Sequence, residues 1–172
     1  MARPGRLRKY NPVADDIYYS IRRFDNTKVQ KLVLNTSIEL PDGYSRTPLI
    51  QATLHKNIEI LNWLIEKGAN VNHQDRNGYC ALHFAAQERF ADVALILLKN
   101  GAITELRDIY GNTPLWTSAF NAKGDYSVFR LLLEYGANLD NMNNSGRTIR
   151  EMTRKMFPQN DLENIMRSLE RQ

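Results

Sequence analysis

The sequence repeats itself every 33 to 35 residues, and this period constrains the fold more than any other feature. A Gly-Ala pair, a triplet that can open a helix, an Asp or Asn, and a glycine all recur in one register. The recurring positions are Gly68-Ala69, Gly101-Ala102 and Gly136-Ala137; Thr47-Pro48-Leu49, Cys80-Ala81-Leu82 and Thr113-Pro114-Leu115; Asp42, Asp75, Asp108 and Asn143; and Gly78, Gly111 and Gly146. Four kinds of position in one register predict a stack of similar units.

Each period predicts a helix, a turn and a second helix. Thr47 and Thr113 suit the N-cap, and the proline after each suits the first helical position, which needs no N–H. The first helix carries small residues, whereas the second is rich in Leu, Ile, Val and Phe and ends at the Gly-Ala pair. Glycine is typical of the position just after an α-helix, where the backbone often takes the left-handed conformation. Polar stretches such as residues 72–78 predict tight turns between the helix pairs.

These residues resemble ankyrin repeats, most fully in residues 75–107. The resemblance implies an all-α solenoid of stacked helix-turn-helix units joined by hairpin-like turns. It divides the chain into a basic tail, expected to be disordered, and one ankyrin-repeat domain with degenerate capping units at its two ends. The boundaries are 1–11 for the tail and 12–172 for the domain, with units at about 12–41, 42–74, 75–107, 108–142 and 143–172.

The sequence departs from the family pattern at several points. Cys80-Ala81 replaces Thr-Pro in the third unit, Ser45 replaces a turn glycine, and two extra residues lie within Asn121–Tyr126. In the first unit we predict helices around Ile17–Phe24 and Thr27–Leu34, with Val29, Leu32 and Val33 facing inward. A last helix is predicted from Asp161, because apolar residues follow it at helical spacing.

Composition excludes several classes of protein. No run of about 18 apolar residues is present, so a membrane span is not expected. The only cysteine, Cys80, excludes an internal disulfide, and the N-terminus lacks the apolar segment of a secretory signal, so we predict a cytoplasmic protein. The four cations of residues 1–10 account for the whole net charge of +4. The body is therefore neutral, which disfavours nucleic acid as the partner.

No motif for catalysis, metal binding or phosphate binding occurs, so we predict a non-enzymatic protein without a cofactor. His83 stands where the family has a turn-bracing histidine, so its predicted role is a structural hydrogen bond. His73 lies in a polar turn, and Cys80 lies at an N-cap with no base beside it in the pattern. His73 is interpreted as a solvated residue and Cys80 as a structural one.

The family's binding surface is concave and is lined by the hairpin tips and the ends of the first helices. When the positions of that surface are transferred to this chain, the resemblance predicts ten partner-binding residues: Tyr44, Arg46, His55, Arg76, Asn77, Tyr79, Tyr110, Asn112, Phe120 and Arg147. Tyrosine and arginine are favoured at protein interfaces, so the tips predict contact with another protein that carries an acidic patch. The alternative is that Tyr44, Tyr79 and Tyr110 pack only against adjacent hairpins, and Trp116 is as consistent with a core position as with the border of the surface.

We therefore expect a protein-binding module that acts by occlusion. One concrete form is an inhibitor similar to bacterial toxin-immunity proteins built from ankyrin repeats. A regulatory adaptor or a subunit of a eukaryotic complex is the alternative. Nucleic-acid binding through the basic tail, with the tyrosines and arginines stacking on bases, is the less favoured third hypothesis.

Overall fold

The chain forms helical hairpins in series, and the computed structural model describes residues 11–156, with side chains to residue 153. Nine helices and no strand lie within these residues. Their bounds are α1 Pro12–Arg22, α2 Asn26–Leu34, α3 Pro48–Leu54, α4 Ile58–Glu66, α5 Ala81–Glu88, α6 Ala91–Lys99, α7 Pro114–Asn121, α8 Ser127–Glu134 and α9 Ile149–Met156. The all-α solenoid expected from the repeat is confirmed.

The helices are arranged in two layers. The first helix of each unit packs against the first helix of the next, through α1, α3, α5, α7 and α9. The second helices, α2, α4, α6 and α8, form the other layer, and each packs against the first helix of its own unit. Side chains between the layers form one apolar core. Its largest fully buried members are Ile17, Ile21, Leu49, Ile50, Ile60, Leu61, Leu64, Leu82, Leu97, Leu115, Phe129 and Leu132.

The helix starts follow the predicted capping residues. The Thr47 hydroxyl accepts a hydrogen bond from the Ile50 amide at 3.4 Å, and the Thr113 hydroxyl accepts one from the Trp116 amide at 3.5 Å. Each bond satisfies an amide that has no partner inside the helix. Both predicted N-caps are therefore confirmed.

The first helix begins earlier than the predicted start near Ile17. The Asn11 side chain accepts hydrogen bonds from the amides of Val13 at 3.1 Å and Ala14 at 3.3 Å, and Pro12 occupies the first turn. This N-cap, which the apolar pattern does not mark, moves the start to Pro12. Asn11, assigned to the tail by the sequence, belongs to the folded part. The rest of the predicted tail and the predicted helix from Asp161 lie outside the described residues.

The first unit is joined to the second by a buried amide. Asn57 is 1% exposed, and its Nδ2 donates to the Ile21 carbonyl at 3.2 Å and to Asn26 Oδ1 at 2.8 Å. Val29 and Val33 are buried as predicted, and Leu32 is half-buried against the core. The degenerate first unit is thus held by packing and by one bridging amide.

The turns between units are hairpins built in the same way each time. In the third unit, Asp75 Oδ1 accepts the amides of Asn77 at 2.8 Å and Tyr79 at 3.0 Å. The same bonds are made by Asp42, Asp108 and Asn143 in the other units. Because one side-chain oxygen holds two amides, the recurring Asp or Asn of the sequence is the residue that closes each hairpin.

Neighbouring tips are joined by backbone hydrogen bonds. The amides of Arg76, Ile109 and Asn144 donate to the carbonyls of Tyr44, Asn77 and Tyr110 at 3.1, 3.0 and 2.9 Å. The tips therefore form a continuous row beside the first-layer helices. Side-chain bonds between neighbouring hairpins, such as that from Asn144 Nδ2 to the Ile109 carbonyl at 3.1 Å, add to this backbone pattern.

Candidate functional site

Tyr44 and Tyr110 occupy the same place on two hairpins, two residues after the closing aspartate. Tyr44 is 50% exposed and Tyr110 is 65% exposed, although the backbone of each is held by the tip-to-tip bonds. Both residues therefore present an aromatic surface to solvent from a rigid backbone. Their placement at the tips agrees with the sequence prediction, and their role in binding stays a prediction.

Tyr79 occupies a different place from the other two tyrosines. It lies four residues after its aspartate, and the place equivalent to Tyr44 is taken by the exposed Asn77. The Tyr79 ring is half-buried, with its centroid 4.9 Å from the His83 ring and 5.3 Å from the Phe84 ring. Burial, and then the charge of Asp108, raise the pKa of its phenol. Tyr79 thus has the packing role that the sequence left open.

Arg46 lies between two rings. Its guanidinium carbon is 5.1 Å from the Tyr44 centroid and 5.0 Å from the Phe84 centroid, and its Nε donates to Asp75 Oδ2 at 3.4 Å. Such cation–π contacts are favourable for arginine. The residue therefore connects the tips of the second and third units with helix α5. The positive charge of Arg46 already interacts with the Asp75 carboxylate and with two aromatic rings. Arg46 is therefore less suited to an acidic partner than the sequence suggested.

Arg76 and Arg147 are exposed at the tips, as predicted. Arg76 borders a surface cavity of about 430 Å³ that also touches Asn11, Asp42 and Gly43. Asn112 is half-buried and has a structural role, since its Nδ2 donates to Asp108 Oδ2 and its Oδ1 accepts from Asn143 Nδ2 at 3.0 Å. Of these three residues, the two arginines remain candidates for partner contact.

The ends of the first-layer helices contribute His55 and Phe120. The His55 ring is half-buried 5.5 Å from the Tyr18 ring, and burial, with the charge of Arg22, lowers its pKa. Phe120 is 47% exposed and stacks on Trp116 at 5.4 Å, while Trp116 is 9% exposed. Trp116 is thus part of the core, and it supports Phe120 as the aromatic residue on the surface.

His83 has the structural role predicted for it. It is fully buried, and its Nε2–H donates to the Asn112 carbonyl at 3.1 Å, which joins α5 to the next hairpin. Because a carbonyl can only accept, Nδ1 is left unprotonated and accepts the Cys80 amide at 3.3 Å. The Cys80 sulfur also lies 3.1 Å from this Nδ1, so the structure does place a base beside the thiol, which the sequence pattern did not indicate. Burial raises the pKa of the Cys80 thiol to about 11, which favours the protonated thiol and agrees with a structural role.

We expect stability to fall as the pH falls below about 6.5, the ordinary pKa of histidine. Burial lowers the pKa of His83 and outweighs the Asn112 carbonyl and the charges of Asp108 and Asp75. At acidic pH the unfolded chain therefore binds a proton on His83 that the folded chain does not bind. The full stability is present above the pKa of the unfolded state and is lost as the pH falls below it. His83→Leu should flatten the dependence of the unfolding free energy on pH, measured with urea between neutral and acidic pH.

Above about pH 5, any slope left in the His83→Leu variant should be the smaller part and should come from His55, whose pKa is lowered in the same direction. The lowered pKa values of Asp92 and Asp125 add to the slope only at lower pH, near the ordinary carboxyl value of 3.8. Leucine suits the site because Ile50 stands at the equivalent place in the second unit. A His83→Leu variant that kept the full slope would show that other groups cause it.

The described residues were expected to hold neither a metal site nor a membrane span. In the part of the chain that the structure describes, no group of three or more His, Cys, Asp or Glu side chains is arranged to hold a metal ion. No helix among those residues is long and apolar enough to cross a membrane.

The geometry and the sequence comparison together define the class of protein. Residues 17–108 and 70–144 match the family described as "Ankyrin repeats (3 copies)". The chain belongs to the ankyrin repeat family, a non-enzymatic family of protein–protein interaction domains.

Relatives come from several kinds of organism. A putative ankyrin repeat protein of Acanthamoeba polyphaga mimivirus is 30% identical over 77% of this chain, which covers 17% of that relative. A putative ankyrin repeat protein of Rickettsia bellii is 31% identical over 73% of this chain, which covers 38% of that relative. A potassium channel of Arabidopsis thaliana is 31% identical over 64% of this chain and 13% of its own length. The chain thus spans less than two fifths of each of these relatives.

Sequence reasoning missed two features of the site. Phe84, which contacts both Arg46 and Tyr79, was not among the predicted residues, since Arg46 comes from the hairpin of another unit. The second feature is a set of non-glycine residues with positive φ near the ends of first-layer helices. Phe24, Lys56 and Arg89 each stand two residues before a second helix, so aligning the repeats on those helices would have brought these three together.

Proposed function

We propose that the chain binds another protein through the face formed by the hairpin tips and the ends of the first-layer helices. The observation that carries the proposal is the exposure of Tyr44, Tyr110 and Phe120, at 50%, 65% and 47%, on backbone that hydrogen bonds hold in place. Large exposed aromatic side chains on a rigid frame lose little conformational freedom on binding. They are therefore suited to anchor a partner.

The hairpin tips lie directly against the first-layer helices. Arg46 contacts the ring of Tyr44 at a tip and the ring of Phe84 on α5. Tyr79 packs from its hairpin onto the Phe84 ring of α5, with the two ring centroids 5.3 Å apart. These contacts place the tips of the second and third units directly beside α5, so a partner that covers those tips would also reach this helix.

The mode of action that we propose is occlusion: the partner's functional surface is covered by this face. A stable complex of this kind buries about 800 Å² on each partner. Arg76 and Arg147, exposed at the tips, would pair with acidic groups on the partner. An inhibitor of the toxin-immunity kind would act in this way, and assay of the captured partner's activity with and without the chain separates inhibition from adaptor function.

We expect Tyr44→Ala and Tyr110→Ala each to weaken partner binding by about tenfold, since hot-spot truncations remove 1 kcal/mol or more. The partner is first captured from the native host and identified by mass spectrometry, and its affinity is then measured with purified proteins by calorimetry. Because both rings are exposed, thermal unfolding should change little.

Tyr135→Ala is the matched control. Tyr135 is 40% exposed but caps α8 in the other layer, so its loss should leave affinity unchanged. Equal losses at Tyr44, Tyr110 and Tyr135, or no loss at the two tips, would contradict the proposed face.

A further inference from the structure

The Arg46 side chain contacts two aromatic rings and a carboxylate at once. Its guanidinium carbon lies 5.1 Å from the Tyr44 centroid and 5.0 Å from the Phe84 centroid, and its Nε donates to Asp75 Oδ2 at 3.4 Å. The Arg46 side chain is 27% exposed and the Asp75 side chain is 1% exposed. A planar guanidinium that stacks on rings and pairs with a buried carboxylate is held in one place.

Two of these three contacts come from fixed parts of the third unit. Phe84 is 4% exposed on α5, where its ring packs on that of Tyr79. Asp75 Oδ1 closes the third hairpin by accepting two amides, so its other oxygen, Oδ2, is held at a fixed place beside Arg46. Arg46 is therefore anchored to the third unit, although it belongs to the hairpin of the second.

Tyr44, the third contact of Arg46, has a fixed backbone and an exposed side chain. Its amide donates to Asp42 Oδ1 at 2.7 Å, and its carbonyl accepts the Arg76 amide at 3.1 Å. The residue is 50% exposed, so the backbone alone does not decide which staggered orientation the ring adopts. Contact with an anchored cation favours the orientation that places the ring on the guanidinium.

The hairpin of the fourth unit is built differently, although Tyr110 takes the place of Tyr44 there. The place of Arg46 is taken by Asn112. The Asn112 side chain bonds to the closing residues of its own hairpin and of the next, at 3.3 and 3.0 Å. The chain therefore offers two tip tyrosines for comparison, one with an arginine two residues later and one with an asparagine.

We infer that Arg46 is a positioning residue for partner binding, because it fixes the Tyr44 ring at the tip before the partner arrives. The inference rests on the proposed function and deepens it by adding a residue that acts through Tyr44. Ordering a side chain on binding costs free energy, and a ring that is already ordered avoids this cost. The affinity of the second hairpin thus depends on an anchor in the third unit.

The first test measures the Tyr44 ring without any partner. In full-length chains with 13C-labelled tyrosine rings, NMR relaxation gives an order parameter for each ring. In Arg46→Ala we expect the Tyr44 value to fall from the rigid towards the flexible range, from about 0.85 to below about 0.6, and the Tyr110 value to stay the same. Thermal unfolding should change little, because the bond from the Arg46 amide to Asp42 Oδ1 remains.

Two further variants complete the NMR test. Arg46→Lys keeps a cation beside the ring and should restore most of the order of Tyr44. Arg147→Ala removes the arginine at the equivalent place in the fifth unit, so the Tyr44 ring should keep its order. A Tyr44 ring that stays ordered in Arg46→Ala, or that loosens equally in Arg147→Ala, would overturn the inference.

The second test is a double-mutant cycle with the purified partner identified by the capture described above. We expect Arg46→Ala to weaken binding about fivefold, as for the ordering of one side chain. In a Tyr44→Ala background the same substitution should cost almost nothing, because no ring is left to position. In a Tyr110→Ala background it should still cost about fivefold.

The cycle separates positioning from direct contact. If Arg46 touched the partner itself, its loss would weaken binding equally in both backgrounds, and the inference would fail. It would fail as well if Arg46→Ala kept full affinity while Tyr44→Ala lost it, and the proposed function would then still stand. Full affinity in both Tyr44→Ala and Tyr110→Ala would contradict the proposed function, and the inference with it.

Discussion

Replacing Leu97 with alanine should lower the unfolding free energy by about 2–5 kcal/mol. Leu97 is fully buried on α6, and the equivalent residues Leu64 and Leu132 of the neighbouring units are fully buried as well. The substitution removes three carbon atoms from a packed core, so it forfeits their burial and leaves a cavity that the surrounding helices fill only in part. Urea denaturation monitored by circular dichroism gives the free energy.

Leu95→Ala is the control for this substitution because Leu95 lies on the same helix and is only half-buried. It shares the helix propensity change of Leu97→Ala but removes fewer core contacts, so its loss should be clearly smaller. Equal losses for the two variants would mean that α6 does not turn Leu97 towards the core.

Replacing Gly78 with alanine should cost about 2–4 kcal/mol, because two penalties act at one site. The backbone of Gly78 has φ of 75°, and a Cβ there would lie 2.8 Å from the Cα of Asp108 in the next hairpin. The neighbouring atom is backbone, so it cannot move aside as the end of a flexible side chain can. The substitution should therefore push two hairpins apart and weaken the bond from Ile109 to Asn77.

Gly68→Ala separates the two penalties. Gly68 has φ of 85°, but a Cβ there would meet no atom within 4 Å. This variant keeps the conformational penalty of about 1 kcal/mol and avoids the steric one. Denaturation of both variants by urea measures the difference, and equal losses would mean that the hairpins are free to separate at no cost.

The parts of the fold that depend on local sequence were predictable. Thr47 and Thr113 cap helices through bonds to amides three residues away, and the spacing of Asp75 from Gly78 marks its hairpin directly. Pro12 was missed as a helix start because the apolar pattern begins later and only the amide-to-side-chain bonds of Asn11 settle the boundary. Single polar residues at helix ends carry less signal than a repeated apolar face.

The candidate site was only partly predictable, because its contacts join residues far apart in the chain. Nothing near Arg46 in the sequence indicates that Phe84 and Asp75 hold its guanidinium. Tyr79 resembles Tyr44 and Tyr110 until the hairpins are aligned on their aspartates, which places it two residues later. The place two residues after the aspartate is at the tip, whereas Tyr79 directly precedes the N-cap of α5, so this offset decides between exposure and packing on α5.

The backbone hydrogen bonds between adjacent tips affect how such a surface can evolve. Each tip is secured by the tips and helices of its own and the adjacent units, so duplicating one unit requires no remodelling of distant parts. A duplication would add one tip and one helix end, and the exposed side chains of the existing units would keep their positions. Reach and selectivity are then separable traits: copy number of the units sets how much of a target is covered, and a substitution at one tip retunes one contact.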